Sequence, residues 1–93
     1  MNKNEASKIL TESLFKYREL SYHQLRQQID RVETEEVVGP SGIWYQLEFQ
    51  ILWDDKPDGD IRVLGSIDDG GLRAFIPYTD SFIKGPSGEF VGE

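Results

Sequence analysis

Ile43-Trp44-Tyr45-Gln46-Leu47-Glu48-Phe49-Gln50-Ile51-Leu52-Trp53 is the stretch that decides the fold. Its odd positions are all apolar or aromatic, and Gln46, Glu48 and Gln50 hold the middle even positions. Successive side chains of a strand point to opposite faces, so this period of two marks a strand with one buried and one wet face.

The flanks extend the pattern into a meander. Gly39-Pro40-Ser41-Gly42 is a turn signal, and before it Val32 to Val38 reads as a strand loaded with Glu33, Glu35 and Glu36. Charges of that kind suit an edge strand, where they discourage pairing with another chain. Two registers fit this strand: one turns Val32, Thr34, Glu36 and Val38 inward, the other Val37 with two glutamates. Asp54 to Asp60 is a polar loop, and Ile61 to Asp68 is the next strand. Asp69-Gly70 has the composition of a type I′ hairpin turn. It leads into a fourth strand, Leu72 to Ile76, stopped by Pro77.

Closing that hairpin sets Ile67 against Leu72, Gly65 against Ala74, and Val63 against Ile76. Pairing Trp53 with Ile61 sets Ile51 against Val63, Phe49 against Gly65 and Leu47 against Ile67. The odd positions of both central strands then share one face, and Phe49 lies over a glycine. By the same parity Trp44, Leu52, Leu64 and Phe75 point to the opposite face, with Leu64 beside Phe75.

The N-terminal third is helical. Ala6, Ile9, Leu10, Leu14, Tyr17 and Leu20 form an apolar stripe at three- and four-residue spacing, which predicts a helix over about 5–19. Ser21-Tyr22-His23-Gln24 has the form of a capping box and predicts a short second helix over about 22–28. After Pro77, Thr79-Asp80-Ser81 reads as the cap of a helical turn holding Phe82 and Ile83. A second Gly-Pro-Ser-Gly at 85–88 reuses the first turn without any longer repeat around it.

The chain of 93 residues is one domain, 1–93, with no cysteine and hence no disulfide, thiolate nucleophile or Cys-based metal site. Neither a secretory leader nor a membrane-spanning apolar stretch is legible, so the expected location is cytoplasmic. The net charge of −7 is uneven. Residues 1–31 carry six basic and four acidic side chains, and residues 32–93 carry four basic and thirteen acidic ones. Such an acidic sheet disfavours nucleic acid as a partner.

Candidate chemistry is sparse. His23, the single histidine, is the one obvious general base, but no Ser, Cys or carboxylate stands at a telling spacing from it. Asp54, Asp58 and Gly59 match positions one, five and six of an EF-hand loop, but Lys56 and Gly65 fall where further ligands are required. Asp68-Asp69-Gly70-Gly71 is explained by turn chemistry. Arg62 and Arg73 flank the outward apolar group, a composition common at interaction hot spots. The alternative is that the C-terminal tail covers that group with Phe82, Ile83, Phe90 or Val91.

The segment Gly65-Ser66-Ile67-Asp68-Asp69-Gly70-Gly71-Leu72-Arg73-Ala74-Phe75-Ile76-Pro77, with Gly39-Pro40-Ser41-Gly42, Tyr45 and the closing Phe90-Val91-Gly92-Glu93, resembles a family of short uncharacterised bacterial proteins with a helical N-terminus and a β-rich remainder. The resemblance implies a bacterial, cytosolic, stand-alone domain and carries no activity.

The expected architecture is α+β: two N-terminal helices on a four-stranded, mostly antiparallel β-meander, with an irregular C-terminal tail across an edge or the second face. The expected function is a non-enzymatic protein-interaction or regulatory module, with another protein or a second copy of the chain as partner, no membrane and no cofactor. Its surface would be Trp44, Leu52, Leu64, Phe75, Arg62 and Arg73. A ligand pocket between the helices and Tyr45, Phe49 and Trp53 is the alternative, and an enzyme using His23 ranks last.

Overall fold

A computed structural model describes residues 2–71 and 78–93. The described elements run α1 (Lys3–Arg18), α2 (Tyr22–Arg26), β1 (Val32–Val38), β2 (Trp44–Trp53), β3 (Ile61–Asp68) and β4 (Tyr78–Lys84). The strands form one antiparallel sheet in the order β1-β2-β3-β4. The α+β meander read from the sequence is therefore the fold.

Each helix starts where a side chain satisfies its orphan N–H groups. Asn2 caps α1, its Oδ1 accepting from the Glu5 N–H at 3.1 Å. At α2 the capping box is complete: the Gln24 N–H donates to Ser21 Oγ at 3.1 Å, and the Ser21 N–H donates to Gln24 Oε1 at 2.8 Å. At the C-terminus of α1, the buried Lys84 amine donates to the carbonyls of Arg18 and Leu20 at 3.1 and 2.6 Å. A cation there also meets the negative end of the helix dipole.

The predicted β2–β3 register is observed residue for residue, with Leu47 opposite Ile67, Phe49 opposite Gly65 and Trp53 opposite Ile61. Their odd positions make the core with Ala6, Leu10, Leu14, Leu25 and Phe82. Gly65 is needed where α1 crosses the sheet. A Cβ there would lie 2.9 Å from a Leu10 methyl and 3.0 Å from the Phe49 ring. In β1 the second of the two registers holds: Val37 opposes Tyr45 on the inner side, and Glu33 and Glu35 share that side. Charge is tolerated there because α1 packs over β3 and β4.

The far side of β3 departs from expectation. Ile67 pairs with Tyr78, Gly65 with Asp80 and Val63 with Phe82, in place of Leu72, Ala74 and Ile76. The fourth strand read at Leu72 to Ile76 lies outside the described residues. A type I′ turn needs positive φ at both central residues. Gly70 has it (φ 78), whereas among the described residues the only non-glycines with positive φ are Asp30 and Asp58. Asp69 is not among them, so no I′ turn forms. Thr79 to Ile83 is strand and not a helical turn, with Phe82 buried in the core and Ile83 on the opposite face.

The two Gly-Pro-Ser-Gly turns are built alike. In each, the first glycine N–H donates to the carbonyl four residues on (Ile43 or Glu89, both 2.8 Å), and the last donates back to the first at 2.9 Å. Gly42 and Gly88 both have φ 88, the left-handed conformation a glycine adopts without strain. The second turn folds the tail back along β4. Phe90 bridges to Lys84, and the Val91 N–H donates to the Ile83 carbonyl at 2.9 Å. Arg18 holds the tail from α1: its guanidinium stacks on Phe90 and Phe82 and makes paired bonds of 2.9 and 2.7 Å to Glu93.

Candidate interaction surface

The even positions of β2 and β3 define the outer face. Register adds Val32, Thr34, Glu36 and Val38 from β1 and Thr79, Ser81 and Ile83 from β4. Among the described residues nothing packs on this face. The helices lie on the other side and the tail follows the β4 edge, so the tail does not cover Leu64 with Phe82, Phe90 or Val91.

The residues expected to form one patch separate into two groups. Trp44 is 64% exposed at one end of β2, beside Val38, which is 47% exposed. Leu52 stands eight positions further along the same strand, about 26 Å away at 3.3 Å per residue. There Leu52, Arg62 and Ile83 are cross-strand neighbours, with Leu64 half-buried one pleat away beside Gln50 and Ser81. Phe75 and Arg73 lie outside the described residues. So the predicted pairing of Leu64 with Phe75 is replaced by Leu64 with Ser81.

The charges of the outer face are Glu36, Glu48, Asp68 and Arg62. Arg62 is neutralised by its neighbours, donating to Asp54 at 2.9 Å and to Ser81 Oγ at 3.2 Å. The face is acidic as a result. At its Trp44 end lies a shallow hollow of about 300 Å³ lined by Glu36, Trp44, Tyr45, Gln46, Asp69 and Gly70. The Asp69 carboxyl is held below the usual carboxylate range, first by the Gly71 N–H, which it accepts at 3.1 Å.

The inner side has its own opening, which the sequence did not reveal. A groove of about 330 Å³ runs between α1 and β1, lined by Ser13, Lys16, Tyr17, Leu20, Gln28, Glu33 and Glu35. The Tyr17 hydroxyl donates to Glu33 Oε2 at 3.0 Å across it. Burial raises the Tyr17 phenol well above its ordinary value, and the Glu33 bond adds to the effect. Among the described residues, the side chains expected to line a pocket, Tyr45, Phe49 and Trp53, are packed into or against the core. Tyr45 and Phe49 are buried, Phe49 lies 4.9 Å from the Tyr17 ring, and Trp53 packs on the core.

A third cluster fixes the first turn to α1. The Glu5 carboxylate accepts from the Ser41 N–H (3.0 Å), the Ser41 hydroxyl (2.7 Å) and the Tyr45 hydroxyl (2.8 Å). The Ser41 hydroxyl bond is the main cause of a lowered Glu5 pKa, while burial chiefly raises that of Tyr45. These bonds tie the turn to the first helical turn of α1.

The chemical alternatives are thin. His23 is exposed on α2, where its Nε2 lies 3.2 Å from the Gln27 amide. The Asp54–Asp60 loop spends two of its carboxylates on cations of the chain, Asp54 on Arg62 and Asp58 on Arg26. Among the described residues no group of three His, Cys, Asp or Glu side chains is placed to hold a metal ion, and no helix is long and apolar enough to cross a membrane. No protein-family model, curated protein or solved structure matches the chain.

Proposed function

We propose that the chain is a protein-interaction module whose acidic outer sheet face and its margins receive a basic protein partner. The observation that supports this reading is the outer face itself. Four strands present it without a described cover, carrying Val32, Val38, Trp44, Leu52, Leu64 and Ile83 among three carboxylates and one neutralised arginine. Apolar side chains in an acidic setting supply contact area, and the charge steers a partner of opposite sign.

The test is capture from a lysate of the source organism at low and moderate salt, with wild type beside a folded Leu64→Lys variant. A stoichiometric basic partner that the variant loses supports the reading. No captured partner at either salt overturns it.

The second reading is binding of a small amphipathic molecule in the groove between α1 and β1, where Lys16, Tyr17 and Glu33 face Leu20. Ligand that quenches or shifts tyrosine emission in wild type but not in Tyr17→Phe would favour this reading.

A further inference from the structure

We infer that the free edge of β1 is a strand-addition site for an extended, lysine- or arginine-rich segment of a partner protein. The inference rests on the interaction-module reading and specifies which part of the sheet is used and by what.

The two edges of the sheet are treated differently. The β4 edge is met by the chain's own tail, through the Lys84–Phe90 bridge and the Val91 bond to Ile83. The β1 edge has no such cover among the described residues. The ladder tells which groups it shows. Gly39 donates to Ile43 and Arg31 accepts from Ile51, so odd residues of β1 bond to β2. The N–H and C=O groups of Val32, Thr34, Glu36 and Val38 therefore point outward along the edge. An incoming strand finds a regular row of donors and acceptors there, the main-chain source of affinity in strand addition.

The side chains name the partner. Glu33 and Glu35 project to the inner side of β1, and Glu36 to the outer side between Thr34 and Val38. Val32 is 57% exposed at one end of this row and Val38 47% at the other. An added strand with cations opposite the three glutamates and β-branched residues opposite the valines satisfies every position. A second copy does not. Two-fold pairing centred on any residue from Glu33 to Glu36 sets a glutamate against a glutamate, and like charges directly opposite are destabilising. The same acids that block self-pairing thus select a basic strand.

The probe is a capped, fluorescent peptide of sequence VVKKTKV, antiparallel to Val32–Val38 in design, titrated against the full chain by anisotropy. Saturable binding at low salt is expected, weakening toward ~0.15 M salt as screening grows. Two comparison peptides discriminate the causes. Backbone N-methylation of the edge-facing residues is expected to weaken binding about tenfold or more, since it removes hydrogen bonds and leaves charge intact. Glutamate in place of lysine is expected to abolish binding.

On the protein, Thr34→Pro removes one outward N–H without touching the β2 ladder, a position where an edge strand accepts proline. It should retain the wild-type circular dichroism and weaken the peptide several-fold. Should it unfold, Glu35→Lys with Glu36→Lys provides the charge arm on an intact backbone.

Equal binding of the N-methylated peptide overturns strand addition in favour of diffuse charge attraction. Absence of binding by every peptide overturns the site, even where capture by the outer face succeeds. A concentration-dependent dimer in sedimentation, lost in Thr34→Pro, assigns the edge to a second copy and overturns the basic partner.

Discussion

Replacing Lys84 by methionine tests the stability of the fold at its most loaded side chain. Lys84 is 8% exposed, and its amine donates to the carbonyls of Arg18 and Leu20 while lying 5.0 Å from the Phe90 ring centroid. Methionine keeps the aliphatic stem and removes the amine. Two carbonyls at the end of α1 then lose their donor. A hydrogen bond to a charged group contributes about 1.5–3 kcal/mol net, and part of that returns because the amine no longer has to be desolvated. We expect Lys84→Met to cost about 2–4 kcal/mol against a total of about 5–14 kcal/mol for a domain of this size. The Tm should fall by about 10–25 °C. Lys84→Ala should cost about 1–2 kcal/mol more, because the stem packing goes as well. The assay is urea unfolding followed by tryptophan fluorescence and circular dichroism, with equal slopes required before midpoints are compared. A loss below about 0.5 kcal/mol in Lys84→Met would refute the reasoning, since it would mean that water replaces the amine without penalty.

Gly65→Ala should destabilise by about 1–3 kcal/mol in the same assay, because the new methyl meets Leu10 and Phe49 at 2.9–3.0 Å; a neutral result would show that the Phe49 ring can shift off Tyr17. The tyrosines predict an alkaline limb. The Tyr17 and Tyr45 pKa values are raised by burial and by bonds to Glu33 and Glu5, so the folded state holds protons that the unfolded state releases. Their stability is complete below about pH 10 and declines as pH rises beyond it; the ultraviolet titration of Tyr17→Phe and Tyr45→Phe should each lack one late-ionising phenol. For Glu5 the sign reverses. Its lowered pKa stabilises the fold above the ordinary carboxylate range and is lost as pH falls through the folded value, so Glu5→Gln should flatten the acid limb of a denaturation profile. Arg18→Ala should release the C-terminal residues from α1, read as faster amide exchange at Val91 with little change in the β2–β3 core.

How much of this was legible depends on where the period was clean. The β2–β3 register followed from alternation in two segments that also agree on a large residue over Gly65. The capping box of α2 was visible because its chemistry is local. The fourth strand was missed for a physical reason: Tyr78–Lys84 has one strong inward residue, Phe82, and its other inward positions include Asp80 and Lys84. Those read as turn and surface residues in isolation. Asp80 lies at the exposed part of the strand, and Lys84 is inward because α1 ends above it and needs a donor, a fact of tertiary placement. Trp44, Leu52 and Leu64 were assigned to the correct face by parity, Phe75 lying outside the described residues, but sharing a face does not make one patch. Trp44 and Leu52 share that face but stand at opposite ends of β2. The groove beside Tyr17 was invisible because it depends on where the helix sits across the sheet.

That lateral position links the fold to the proposed surface. A helix is about 10–12 Å wide, and the outer strands of a four-stranded sheet are about 14 Å apart, so one helix covers two strands well and not four. In this chain α1 lies over β3 and β4, where β3 presents Ile61, Val63 and Ile67. The shelter that remains for β1 is the rim of a groove, wet enough for Glu33 and Glu35 to face inward. Among the described residues no further element roofs it. A bare apolar strand in that place would invite edge-to-edge pairing, which acidic side chains disfavour. On the inference drawn above, the glutamates that disfavour pairing of like edges leave the outward backbone row of β1 open to a segment of opposite charge.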